Sequence, residues 1–200
     1  REISLSGTGY APEGIFREDG RKIDPSHDDE LSLFLKAGSL CSNAVITHDE
    51  QKGWGIIGDP TEGALVTAAN KAGMDRQEME ESGYKRLDEL PFDSDAKFMA
   101  VLNSLPDSEA AVFLKGAPDV VLNMCEKVSI NGMDADLTME QKEEYLLTNN
   151  HLAQKGLRVL AIAYKKGVNT EPEIEKEIEH EMVFLGFAGI LDPPRPDVAQ

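Results

Sequence analysis

The chain has 200 residues, enough for one large domain with a buried core. Hydrophobic residues make up 40% and charged residues 28%, a globular balance rather than a disordered one. With 37 Asp and Glu against 20 Lys and Arg the formal charge is -17, a surface that repels nucleic acid and anionic lipid and argues against either as a partner. A phosphorylated ligand would need a few local cations to overcome that field, with a divalent metal arriving on the ligand. No apolar run approaches the roughly 18 residues of a membrane span, and no signal peptide opens the chain. Cys41 and Cys125 sit in apolar contexts that read as helical, and are expected to be reduced core thiols. Arg1-Glu2-Ile3-Ser4 and the closing residues both read as interior sequence, so an excised fragment is expected.

In chain order, Ile3 to Leu5 is a short strand that runs into the turn-rich Gly7 to Gly14. Gly7 and Gly9 form a G-x-G fragment, but no helix pattern follows, which makes it a weak nucleotide signal. Asp19-Gly20 marks a hairpin tip between Gly14-Ile15-Phe16 and Arg21-Lys22-Ile23. Leu31, Phe34, Leu35 and Gly38 give a helix from about Asp28 to Ser42 with one apolar face. His27 and His48 fall in polar loops without partners at metal-ligand spacing. A strand, Trp54 to Ile57, then leads to a helix start in which Asp59 is the cap, Pro60 the first helical residue and Glu62 the third, a variant capping box. Glu62 therefore has a complete structural explanation beside any role as acceptor for a base amine. The helix runs to Lys71, with Gly73 placed to end it.

Leu87 to Leu90 is a strand ending at Pro91, followed by a polar turn through Lys97 and a strand from Phe98 to Leu102. Phe92 precedes the polar turn, where its ring is either a stacking platform for a purine or a core residue at a strand end. After Pro106-Asp107-Ser108 comes Ala111-Val112-Phe113-Leu114, which should pair with the preceding strand as an antiparallel hairpin. It delivers Lys115 to its end, then Gly116, and Pro118 opens a helix with Asp119 in its first turn. An ammonium group, a side-chain-free position and a helix start lie within a few residues. That suits a phosphate or an adenine edge, and it also suits an ordinary strand-to-helix turn.

Asn131-Gly132 marks a further tight turn, and Thr138 with Gln141 forms a capping box for a helix that runs to Lys155 and stops at Gly156. Leu157 to Tyr164 is apolar on both faces and reads as an inner strand. Arg158 is its lone cation, so a buried arginine needing a carboxylate or a ligand anion is expected. Glutamate at every odd position from Glu171 to Glu181 reads as a solvated acidic helix capped by Thr170 and Glu173, with Ile174 and Ile178 as its buried stripe. The last strand, Met182 to Leu191, ends at Asp192-Pro193-Pro194-Arg195-Pro196, a stiff linker through which no strand continues.

Four segments occur in a telling order: Gly58-Asp59-Pro60-Thr61-Glu62-Gly63-Ala64-Leu65, Pro91-Phe92-Asp93-Ser94-Asp95-Ala96-Lys97, Phe113-Leu114-Lys115-Gly116-Ala117-Pro118 and Leu191-Asp192-Pro193-Pro194-Arg195. Together they resemble the nucleotide-binding domain of type II P-type cation-transporting ATPases, most of all calcium pumps of the sarcoplasmic-reticulum and bacterial kind. Heavy-metal pumps of the same superfamily lack the K-G-A-P loop. The resemblance implies an α+β fold, a twisted antiparallel sheet with helices on its faces, spanning 1–191, with 192–200 as hinge and start of a phosphorylation domain. It also implies that Phe92 stacks on adenine, Glu62 contacts the adenine amine, Lys115 with Gly116 lines the pocket bottom, Lys97 is a second pocket lysine and Arg158 lies near the phosphates. Many relatives have arginine where this chain has Ser94, so a phosphate contact from that turn does not carry over by likeness.

The ligand so implied is ATP, as MgATP. The implied partners are the phosphorylation and actuator domains of the same polypeptide, which would be an integral membrane protein of the plasma membrane. The domain itself would be a monomer on the cytoplasmic side without membrane contact. The family's phosphorylated aspartate, in D-K-T-G-T, should precede residue 1, and its metal-binding aspartates should lie beyond Gln200. The chain alone is thus expected to bind ATP without hydrolysing it. The competing reading is a non-catalytic acidic interaction module, in which the Lys115 turn is structural. A self-contained phosphatase or kinase fails for want of a nucleophile paired with a base.

Overall fold

The computed structural model describes residues 1–107, 109–168 and 173–191. The chain opens with a small antiparallel sheet of β1 (Ile3–Leu5), β2 (Phe16–Glu18) and β3 (Arg21–Ile23). The β2–β3 tip is the expected one, with Asp19 and Gly20 both at positive φ, 49° and 77°. Helix α1 (Asp29–Leu40) starts where the Asp28 side chain accepts from the Leu31 N–H. A separate two-stranded ribbon follows, β4 (Val45–Asp49) and β5 (Gly53–Ile57). In α2 (Pro60–Lys71) the Asp59 side chain accepts from the N–H groups of Thr61 and Glu62, as the sequence implies. Gly73, at φ 74°, ends the helix, and Met74 N–H closes back on Ala69 O at 2.9 Å. The short helix α3 (Arg76–Glu81) comes next.

The remaining elements are β6 (Arg86–Leu90), β7 (Phe98–Ser104), β8 (Ala110–Gly116), α4 (Pro118–Met124), β9 (Cys125–Ile130), β10 (Met133–Asp136), α5 (Met139–Gln154), β11 (Arg158–Lys166), α6 (Ile174–Glu177) and β12 (Met182–Ile190). Seven of these strands form the main sheet, in the order β10-β9-β12-β11-β8-β7-β6. Antiparallel pairing dominates, as expected, with one correction. β12 runs parallel to β9, because α5, β11 and α6 carry the chain away and back between them. The Thr138–Gln141 capping box is fully formed, and Gly156 at φ 79° follows the end of α5.

Alternation along the strands divides the core into two layers. Met99, Val101, Phe113, Ile162 and Tyr164 face α1, together with Leu40 and Leu65. Ala100, Leu102, Val112, Leu114 and Phe184 face the other side, against Val121 and Leu122 of α4. On that side the Tyr145 ring of α5 packs against Phe184 and Phe187, with centroids 5.0 and 6.5 Å apart. The small N-terminal sheet closes over α1 and α2 through Phe16, Leu31, Leu35 and Ala69. β8 lies between β7 and β11, and all seven of its residues are buried.

Both thiols are buried and free. Cys41 caps the end of α1, whereas Cys125 opens β9 instead of lying within a helix. Burial pushes the Cys41 thiol up to about 11 and the Cys125 thiol up to about 12. Among the described residues the acidic segment forms the short α6, and Glu173 makes no side-chain cap, although Ile174 and Ile178 are buried as expected. Thr170 and the Asp192–Arg195 linker lie outside the described residues.

Candidate functional site

Strands β7 and β8 pair to their ends, so Phe98 sits opposite Gly116 and Met99 opposite Lys115. The chain then turns at Ala117, whose N–H donates to Lys97 O at 2.9 Å, and α4 begins at Pro118. A cleft of about 280 Å³ opens over this turn. Lys115, Gly116, Ala117 and Pro118 line it from one side, Val159 and Leu160 of β11 from another, and Phe92 and Lys97 at its mouth. Four of the six residues singled out from the sequence are therefore brought together.

Phe92 is 61% exposed, which favours the platform over the core alternative. The turn after it is held by Asp93, whose side chain accepts from Asp95 N–H and Ala96 N–H, both at 2.8 Å. Those two N–H groups hold the Asp93 carboxyl below the usual carboxylate range. Lys97 N–H donates to Asp93 O at 2.7 Å, and Lys97 itself adopts φ 59°. Its exposed ammonium is thereby aimed from a fixed backbone.

Gly116 has a different reason to be glycine than the one the sequence suggests. A Cβ there would stand 2.5 Å from Lys97 O and 2.7 Å from Phe98 Cβ. The space is filled by the neighbouring strand, not kept for a ligand.

Lys115 is buried at the C-terminal end of α1, where helix carbonyls have no intrahelical partners and carry the negative end of the dipole. Its Nζ donates to Cys41 O, to Ser42 Oγ at 3.1 Å and to Glu62 Oε1 at 2.6 Å. Two more cations converge on the same helix end. Arg86 donates to Leu40 O at 2.7 Å and to Ser42 O at 2.9 Å, and Arg76 donates to Ser39 O at 2.7 Å and to Ser42 O. Arg86 also pairs with Glu89 Oε2 at 2.6 Å.

Glu62 does not complete a capping box. Its Oε2 accepts from the N–H groups of Asn43 and Ala44, at 2.7 and 3.0 Å, while Oε1 takes Lys115. The carboxylate thus joins α2, the segment after α1, and the floor of the cleft.

Arg158 is not buried. It is the first residue of β11, beyond the point where β8 stops pairing at Ala161–Gly116, so it emerges past the sheet on that side. It is exposed, and its Nη1 donates to Thr61 Oγ1 at 2.9 Å in the first turn of α2. That contact brings an exposed cation to Thr61, next to Glu62.

Sequence reasoning missed the walls Val159 and Leu160, although both follow Arg158 directly in an apolar run that gave a signal. It also missed Ser42, Arg76 and Arg86, for which no local pattern exists. Among the described residues, no group of three or more His, Cys, Asp or Glu side chains could hold a metal ion. The arrangement offers an exposed aromatic face, a largely apolar cleft and two exposed cations, which is equipment for binding an aromatic, anionic ligand.

A family can be assigned to this chain from its sequence. Residues 30–197 match the model of the P-type ATPase cytoplasmic domain N, and the chain belongs to that family. It is 37% identical over 196 residues to the calcium-transporting ATPase of Bacillus subtilis, covering 98% of this chain and 22% of that protein. It is 36% identical over 169 residues to calcium-transporting ATPase 1 of Lactococcus lactis, covering 84% of this chain and 19% of the relative. With the human calcium-transporting ATPase type 2C member 1 the identity is 33% over 199 residues, covering 98% and 20%. The chain thus spans about a fifth of the length of these relatives. Among the described residues no helix is long and apolar enough to cross a membrane.

Proposed function

We propose that this chain is the ATP-binding domain of a cation-transporting P-type ATPase, and that calcium is the ion moved. The observation that carries the reading is the exposed Phe92 ring standing at the mouth of the same cleft that Lys115 and Gly116 floor. Adenine stacks on Phe92 and enters between Val159 and the Lys115–Gly116 turn, where the slot is apolar. Lys97 and Arg158, both exposed, suit the phosphates, whose remaining charge is met by the magnesium ion that ATP brings with it. Glu62, with Lys115 on one oxygen, stands beside the floor as acceptor for the adenine amine.

Residues 1–191 form the nucleotide domain in this reading, and 192–200 lead to a phosphorylation domain that carries the catalytic aspartate. The contribution of this domain is to hold and deliver MgATP to that aspartate, while phosphorylation and actuator domains of the same polypeptide complete the cycle. The domain works as a monomer on the cytoplasmic face of a membrane, the plasma membrane being the expected one, without touching lipid itself. The likeness to calcium-transporting relatives supports the choice of ion.

The test is an MgATP titration of the chain followed by amide NMR, repeated with Phe92→Ala and Lys97→Ala. Saturable shifts at Phe92, Lys97, Lys115, Gly116 and Arg158, weakened in both variants, are expected. A chain unmoved by millimolar MgATP overturns the reading and returns attention to an acidic interaction surface.

A further inference from the structure

A lysine ammonium has three N–H groups, and Lys115 has three acceptors: Cys41 O, Ser42 Oγ and Glu62 Oε1. The sense of the middle bond is fixed by its surroundings. Ser42 is fully buried, and its own hydroxyl hydrogen goes one turn back to Gly38 O at 2.8 Å. Its lone pairs are thus left to face Lys115. The Ser42 carbonyl is held in turn by Arg76 and Arg86, and the next two N–H groups, of Asn43 and Ala44, hold Glu62 Oε2. A closed ring results. It runs from the end of α1 through Lys115 to Glu62 and back to the residues after Ser42.

The geometry points to Ser42 as a positioning residue for the nucleotide cleft, one that fixes the Lys115 ammonium and, through it, Glu62 before any ligand arrives. This inference rests on the nucleotide reading above. Two acceptors would leave the ammonium free to swing about the line joining them; a third removes that freedom. A long, flexible side chain that is already immobilised has less ordering to undergo when a ligand binds, so a preformed floor raises affinity without touching the ligand. Arg86 supports the same point from the other side. It anchors β6, the strand that runs toward Phe92, to the two carbonyls flanking Cys41.

Ser42→Ala removes the third acceptor and little volume, and Ser42→Cys keeps the side-chain shape with a weakly accepting sulfur. Each is compared with wild type by MgATP titration at pH 7, and by the NMR order of the Lys115 side chain, read from relaxation of its Cε methylene. Lys115 should be more mobile in both variants, because an ammonium held by two acceptors can swing where one held by three cannot. MgATP affinity should fall about three- to tenfold. Variants that bind MgATP within about twofold of wild type overturn the role. So does a Lys115 side chain as ordered as in wild type. If wild type itself takes no MgATP, the nucleotide reading fails, and the Lys115 order alone decides whether Ser42 fixes the ammonium.

Discussion

Lys115 and Glu62 meet at 2.6 Å with side chains only 6% and 14% exposed, so this ion pair is largely withdrawn from water. A pair in that position is a risk to stability when broken. Glu62→Ala leaves a buried ammonium and two orphaned backbone N–H groups, and should destabilise the chain by about 3 kcal/mol. Lys115→Met in the same background removes the stranded charge and should recover part of the loss. Urea denaturation of the two single variants and the double variant checks this, with non-additivity of about 1 kcal/mol or more as the expected sign of coupling.

Phe92→Ala separates binding from folding. The ring is mostly exposed, so its loss should change stability by no more than about 0.5 kcal/mol. Base–aromatic stacking contributes about 1–3 kcal/mol, which places the expected loss of MgATP affinity between about fivefold and about 150-fold. Calorimetric titration alongside a thermal melt reads both quantities from one preparation.

Gly116→Ala should behave in the opposite way. Its methyl would collide with Lys97 O and Phe98 on the neighbouring strand, so β7 and β8 must part to admit it. A destabilisation of about 1–3 kcal/mol is expected from such overpacking, seen as a lower urea midpoint. The altered Lys97 backbone should also displace the amide signals of the Phe92 turn.

Acid should weaken the first helix through its cap. The Arg1 side-chain hydrogen bond, joined by the Leu31 N–H, holds the Asp28 carboxyl below the usual carboxylate range, against a smaller opposing effect of burial. A depressed folded-state pKa contributes stability that is present above the unfolded value, about pH 4, and is lost as pH falls through the folded value. Asp28→Asn should therefore be less stable than wild type at pH 6, with the gap closing as pH drops below 4. Urea midpoints measured from pH 2 to 6 test the sign.

Features decided within a few residues were legible in the sequence. Asp19-Gly20 and Asn131-Gly132 demand positive φ at adjacent positions, and both form the expected tight turns. Asp59 and Thr138 sit directly before helices and cap them. The polar turn after Phe92 left its ring open between platform and core, and only its 61% exposure decides for the platform. β4 was missed because Val45-Ile46-Thr47-His48-Asp49 lacks a clear alternation, and α3 because Met79 is its single buried residue. The error at Arg158 has a simple origin. An apolar run shows that a strand is central but not where its neighbours stop. The Glu62 acid could satisfy a local cap or a distant partner, and the distant one prevailed because a buried Lys115 and two unpaired N–H groups lay within reach.

The cleft joins two kinds of matter. Its floor hangs from β8, a strand bonded on both sides and enclosed along its whole length, so it has almost no freedom left to lose. Its opposite lip is one aromatic ring on a surface turn, pinned by Asp93 but open to water. In the nucleotide reading, the ordering that a ligand imposes on the protein falls on that lip and on the exposed Lys97 side chain. The ligand's residence time would then change with the loop's composition while the architecture beneath remains as it is.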